Sequence, residues 1–160
     1  MELFERYYTS AIRFLARRPR SSKEIRDNLS KKKAPEEIIT AILKKLQEQK
    51  FQNDNEFAQW WVDQRTRFKA KSDRVIKLEL RQKGISDEVI SEVFANEQTN
   101  KKSDKAKALA IVQKYQSRYG TLTREERYRK LGGLLARRGF DWEVSKAVID
   151  DIFERGYNTD

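Results

Sequence analysis

The stretch Ile76-Lys77-Leu78-Glu79-Leu80-Arg81-Gln82-Lys83-Gly84-Ile85-Ser86-Asp87-Glu88-Val89-Ile90 decides the fold of this chain. Ile76 and Leu80 lie four apart, one helical turn, and share an apolar stripe. Lys83-Gly84 ends that helix, because glycine takes the left-handed backbone just past a helix end without a Cβ penalty. Ile85 leads into Ser86, an N-cap residue for a second helix. Val89, Ile90, Val93 and Phe94 give that helix its apolar face.

The same pattern occurs three times. Ile25, Leu29, Ala34, Ile38, Ile39, Ile42 and Leu43 match Ile76, Leu80, Ile85, Val89, Ile90, Val93 and Phe94 at a distance of 51 positions. A third copy, 55 positions further on, places Leu131, Leu135, Phe140, Val144, Val148 and Ile149 at the same steps, with Ser145 in place of one apolar residue. A chance amphipathic helix would not reproduce the break between two runs, so one supersecondary unit has been reused. The third turn, Arg138-Gly139-Phe140-Asp141, repeats the second with Asp141 as cap. The first, Lys33-Ala34-Pro35, has Lys33 where glycine is expected and so either differs in shape or holds a strained residue.

A longer helix precedes each pair: Ala11, Phe14 and Leu15 correspond to Ala58, Trp61 and Val62, and these to Ala108, Ile111 and Val112. Asp54 is a candidate cap, and Ser21 with Glu24 and Thr123 with Glu126 have capping-box spacing. The spacing predicts helices near 3–17, 22–32, 36–50, 54–70, 73–83, 87–96, 103–118, 124–137 and 142–154. Such short helices gain stability by packing apolar faces together. The expected fold is all-α, an elongated, curved array of three tandem three-helix repeats with boundaries at 1–52, 53–99 and 100–160. The lysine-rich stretch from Asn100 to Lys105 is the hinge candidate.

Composition agrees with slender helices carrying much solvated surface: 38% of the 160 residues are hydrophobic and 38% charged. The formal net charge of +10, with no histidine, favours a polyanionic partner: nucleic acid, a nucleoprotein assembly or an acidic protein face. Without cysteine there are no disulfides and no thiolate metal sites. No apolar run is long enough for a membrane span, and a cytoplasmic monomer is expected.

Enzymatic chemistry finds little support. Neither histidine nor cysteine is present to act as neutral-pH base or nucleophile. Phosphate-loop and dinucleotide fingerprints are missing too. Gly132-Gly133 falls inside a helical pattern, where the small residues are expected to permit close helix contact. The acidic pairs Glu36-Glu37, Glu125-Glu126 and Asp150-Asp151 point in divergent directions on helices and suit helix starts better than metals. No catalytic residue, cofactor or metal is expected.

The basic residues say more. Between Arg13 and Lys33 stand Arg13, Arg17, Arg18, Arg20, Lys23, Arg26, Lys31, Lys32 and Lys33 against only Glu24 and Asp27. Further groups are Arg65, Arg67, Lys69 and Lys71, then Lys101, Lys102, Lys105 and Lys107, then Arg137 and Arg138. Arginine grips phosphate or carboxylate with two parallel hydrogen bonds. The candidate interface is therefore Arg13, Arg17, Arg18, Arg20, Arg65, Arg67, Lys69, Lys101, Lys102, Arg137 and Arg138. Trp60 and Trp61 cannot face one core together; Trp61 is expected inside, and Trp60 either between repeats or on a binding surface.

Four stretches resemble the RecX family: Arg18-Pro19-Arg20-Ser21-Ser22-Lys23-Glu24-Ile25; Asn53-Asp54-Asn55-Glu56-Phe57-Ala58 with Trp61, Val62 and Arg65; Glu79-Leu80-Arg81-Gln82-Lys83-Gly84-Ile85; and Leu135-Ala136-Arg137-Arg138-Gly139-Phe140. The resemblance implies an elongated helical repeat that binds along the groove of the RecA recombinase filament on single-stranded DNA and inhibits its assembly and activity in recombination, DNA repair and the SOS response. Direct DNA contact within the filament stays open. Lys33, Lys50-Phe51 and Lys71-Ser72 depart from glycine-containing turns of the family. The rival reading is a direct helical DNA-binding or transcriptional regulatory protein, but its candidate reading helices carry Asp87, Glu88 and Glu92, or Glu143, Asp150 and Asp151, which phosphates would repel.

Overall fold

The computed structural model describes residues 1–68, 70–96 and 103–156. Its helices are α1 (Glu2–Leu15), α2 (Ser22–Lys31), α3 (Glu36–Glu48), α4 (Asp54–Phe68), α5 (Asp73–Gln82), α6 (Asp87–Asn96), α7 (Asp104–Gln116), α8 (Arg124–Arg137) and α9 (Trp142–Gly156). A single 3₁₀ turn, Ser117–Tyr119, follows α7. Among the described residues there is no strand, and the three-by-three order of helices is the one the repeats require. The expected hinge residues Asn100, Lys101 and Lys102 lie outside the described residues.

Matched positions share one environment. Ile25, Ile76 and Leu131 are fully buried, as are Leu29, Leu80 and Leu135. Ala11, Ala58 and Ala108 are fully buried as well, so the first helix of each copy spends only a methyl group at this point. Ser145, the polar substitute in the apolar pattern, is buried, as its counterparts Ile39 and Ile90 are. Burying one such Leu or Ile is worth roughly 1.5–3 kcal/mol, which is what holds these marginal helices in place.

Two compact units organise the chain, one of residues 1–63 and 78–98, the other of 64–77 and 99–160. In the first, α1, α2 and α3 pack on one another around Tyr7, Ala11, Ile25, Leu29, Ile39, Ile42, Leu43 and Leu46. In the second, α7 packs on α8 and α9 around Ala108, Ile111, Val112, Leu131, Leu135, Phe140, Val148, Ile149 and Phe153. Tyr115 and Tyr119 line the edge of that core, the stripe their spacing predicts. The division runs through α4 and α5.

Four helix ends close in the same way. The amides of Ala34, Phe51, Ile85 and Phe140 donate to the carbonyls of Leu29, Leu46, Leu80 and Leu135, at 3.1, 2.9, 3.0 and 3.1 Å. Each closure needs a left-handed residue just before the donor. Gly84 (φ 76°) and Gly139 (φ 87°) supply it without strain, whereas Lys33 (φ 62°) and Lys50 (φ 59°) supply it against the Cβ. The first turn therefore keeps its shape and takes the strain.

Both capping boxes form, at Ser21 with Glu24 and at Thr123 with Glu126. Ser86 and Asp141 cap α6 and α9 by accepting from the amides of Val89 and Val144. Two local expectations change. Asn53, and not Asp54, caps α4, accepting from the amides of Asn55 (2.8 Å) and Glu56 (3.1 Å). Gly132 has open space where a Cβ would stand, and one on Gly133 would meet only the Arg137 guanidinium at 3.4 Å, so neither glycine brings helices together.

Candidate functional site

The basic run from Arg13 to Lys33 does not act as one surface. Arg18 turns inward: its guanidinium donates to Glu24 (2.6 Å) and to the Pro19 carbonyl (2.8 Å) and lies 5.7 Å from the Trp60 ring centre and 6.0 Å from that of Trp61. Arg20 stacks on Phe14 at 3.8 Å, with its Nε 3.4 Å from the Phe14 carbonyl. Burial, and then the neighbouring Arg18 charge, pull the Arg20 pKa below its ordinary value, against the opposing pull of Glu24. Lys23 pairs with Asp27 at 2.7 Å, and Arg26 pairs with Glu36. The sequence run counts charges; it does not show which are already neutralised at home.

Glu24 is the centre of that inward cluster. Besides Arg18 it accepts from Lys83 at 2.9 Å and, through its other oxygen, from the Ser21 amide at 3.1 Å. Burial alone would raise its pKa. The hydrogen bonds from Arg18, Lys83 and Ser21 outweigh that and hold its carboxyl below the ordinary value. Lys83 also lies over Trp61 (5.2 Å), whose indole N–H donates to Glu79 at 3.0 Å. Trp60 is thus half-buried against Arg18 of the preceding repeat, the first of the two places expected for it.

This contact belongs to a junction that recurs at repeat spacing. The Ser21 hydroxyl donates to the Lys83 carbonyl (2.7 Å), and the Ser22 amide donates to Asp54 (2.9 Å). One repeat later the Ser72 amide donates to the Arg138 carbonyl (3.1 Å) and the Asp73 amide to Asp104 (3.3 Å). Gly84 and Gly139 sit at these points: a Cβ on the first would meet Lys23 Cβ at 2.6 Å, and on the second Val75 Cγ2 at 2.0 Å. Both glycines therefore serve two purposes, a left-handed turn and a close approach. The turn was legible in the sequence. The approach was not, because its partner stands more than 60 residues away.

What remains for a partner is narrower than the charge count suggests. Arg13 and Arg17 are exposed and, among the described residues, take part in no ion pair. Arg137 is exposed at the end of α8, and Arg138 is half-buried over Tyr115 at 5.9 Å. Arg65 and Arg67 occupy the last turn of α4, where cations suit the negative helix end, and neither is without a partner. Lys69, Lys101 and Lys102 lie outside the described residues. Lys107, counted above with the basic groups, is instead sealed in: its ammonium pairs with Asp73 (3.0 Å), donates to the Lys71 carbonyl (3.3 Å), and the residue is only 3% exposed.

Comparison with known proteins matches this architecture unit by unit. The RecX first three-helix domain matches residues 8–46, the second matches 53–93, and the third matches 103–149. The chain belongs to the RecX family. The Regulatory protein RecX of Streptomyces lividans is 31% identical over 143 residues, 89% of this chain and 75% of that one. Its counterpart in Bacillus subtilis (strain 168) is 31% identical over 145 residues, 91% of this chain and 54% of that one. For Geobacillus sp. (strain WCH70) identity is 37% over 142 residues, with 89% and 52% covered. The chain thus spans about half the length of these Bacillus and Geobacillus relatives.

Solved RecX structures share the fold. The crystal structure of RecX from Lactobacillus salivarius superposes with a TM-score of 0.73 at 24% identity, covering 94% of this chain and 96% of that one. A second crystal structure, of regulatory protein RecX, gives a TM-score of 0.74 at 25% identity, covering 92% and 73%. Among the described residues no helix is long and apolar enough to cross a membrane.

Proposed function

We propose that this RecX chain is a non-enzymatic regulator of the RecA recombinase, binding in the groove of the RecA filament on single-stranded DNA and limiting its assembly and activity. The observation that carries this reading is the match to all three RecX domains in order, in relatives named regulatory proteins. A net charge of +10 supports attraction to a nucleoprotein, since such a field speeds encounter with a polyanion. Several modest contacts along an extended partner would then slow departure. The absence of histidine and cysteine from the sequence supports a role by binding rather than by covalent chemistry. Work on chromosomal DNA would place the protein in the cytoplasm.

Within the proposed interface, Arg13, Arg17, Arg67 and Arg137 are the exposed arginines, while Arg18 and Arg20 contribute indirectly by holding the first repeat together. Titrating the purified protein into preformed ATP-state RecA–ssDNA filaments tests the function. Saturable binding is expected, with RecA ATP hydrolysis falling at substoichiometric protein. Filaments whose stability and hydrolysis stay constant across the series would exclude it. The duplex-reading alternative gains nothing from the structure, since Asp87, Glu88 and Glu92 of α6 are all exposed. A duplex selection returning a random pool would dismiss it.

A further inference from the structure

A groove of about 700 Å³ runs along α1 beside the end of α2. Its lining includes Arg6, Arg13, Arg17 and Lys32 and no carboxylate. Several cations elsewhere on this repeat are matched, Lys23 with Asp27, Arg26 with Glu36 and Arg18 with Glu24. Here Arg6 approaches only the Tyr7 ring (5.8 Å), Lys32 bonds the Ser10 hydroxyl, and Arg13 and Arg17 take part in no ion pair among the described residues. The walls are fixed to each other, because the buried Tyr7 donates its hydroxyl hydrogen to the Lys32 carbonyl at 3.2 Å. Four like charges gathered in one concave site repel one another, and an anion relieves that repulsion.

The spacing selects the kind of anion. Arg6 and Arg13 are seven residues apart on one helical face, about 10 Å by helical rise. Ala16 keeps helical dihedrals (φ −61°, ψ −22°), so Arg17 continues the stripe about 6 Å further on. A line of separated cations suits a linear polyanion better than one small ion. Thr9 and Ser10 add hydroxyls of the kind that contact phosphate oxygens. A peptide would need apolar sockets for its side chains. The two rings present offer little, since Tyr7 is buried and Arg20 covers a face of Phe14. The concave volume of about 700 Å³ suits a short run of one strand.

We propose that this groove between α1 and α2 binds the phosphodiester backbone of single-stranded nucleic acid, through Arg6, Arg13, Arg17 and Lys32. The proposal rests on the regulator reading only in treating this stripe as a partner surface, and its test needs no recombinase.

The experiment is fluorescence anisotropy of a labelled oligothymidylate with the whole chain across a salt series. Each phosphate contact on a single strand contributes about 0.7 to the slope of log K against log salt. Arg13→Ala with Arg17→Ala should lower that slope by about 1.4 and weaken binding on the order of tenfold at low salt. Thermal unfolding should be unchanged, and Lys44→Ala on α3 should bind like the parent. A parent chain that fails to bind, a double variant with unaltered slope, or polyglutamate displacing the strand as well as unlabelled oligothymidylate does would each overturn the site. Loss of binding to RecA–ssDNA filaments with oligothymidylate binding intact would do so too, leaving the regulator reading standing. The reverse result, strand binding lost with filament regulation intact, would uphold the site and remove it from the filament interface.

Discussion

Gly139 lies so close beneath Val75 that a Cβ added to it would stand 2.0 Å from the valine Cγ2. At a φ of 87° the backbone there already disfavours any side chain. Gly139→Ala should therefore lower unfolding stability by about 2–4 kcal/mol, from left-handed strain and overpacking together. Urea denaturation followed by circular dichroism measures the loss. Val75→Ala in the same background should return part of it, since only the overpacking depends on the valine. A change within about 0.5 kcal/mol of the parent would show that the junction is not tightly held.

Arg17 and Arg18 are neighbours in sequence with different duties. Arg18→Ala removes a short bond to Glu24 and the cover over Trp60, and should cost on the order of 2 kcal/mol. Arg17→Ala, on an exposed side chain, should stay within about 0.5 kcal/mol. Replacing both together would mix a binding effect with a folding effect. Separate melting curves for the single variants distinguish them, and equal losses would mean that Arg18 is as free as Arg17.

Acid should loosen the junction through Glu24. Its carboxyl titrates below the ordinary value in the folded chain, so the ionised form stabilises the fold. That stabilisation is complete above the unfolded value of about 4.3 and is lost as pH falls through the lower folded value. Glu24→Gln should cost about 2 kcal/mol at neutral pH, and the gap to the parent should narrow as pH drops below about 4. A gap independent of pH, read from denaturation midpoints, would mean that Glu24's charge does not matter.

Lys33 and Lys50 hold the left-handed turn positions that Gly84 and Gly139 hold elsewhere. Lys33→Gly and Lys50→Gly should each stabilise the chain by roughly 0.5–1 kcal/mol, the relieved strain being partly offset by a freer unfolded chain. The urea midpoint should rise with an unchanged m-value. A fall in midpoint would indicate that the lysine side chains contribute more than their backbone strain removes.

The helices and their burial were legible because each repeat writes its apolar face three times over. Ile25, Ile76 and Leu131 share one register, and a register fixes which side faces inward. The caps were legible where the donor and acceptor are three residues apart, as at Ser21 and Glu24. Asn53 was missed as the cap of α4 because Asp54, one residue on, has equal capping chemistry; the structure spends Asp54 on Ser22 instead. The basic surface was the least legible part. Whether Arg18 or Lys107 faces solvent depends on carboxylates, rings and carbonyls brought in from distant helices, and no local pattern carries that.

The sealed ammonium of Lys107 gives the chain an internal clock. Lys105, two residues before it, is exposed, so an amine-reactive reagent meets one lysine at once and reaches the other only after α7 parts from the residues around Asp73. With reagent concentrated enough to outpace reclosing, the slower acylation proceeds at the opening rate of that part of the fold, readable from a single peptide, with or without a bound partner.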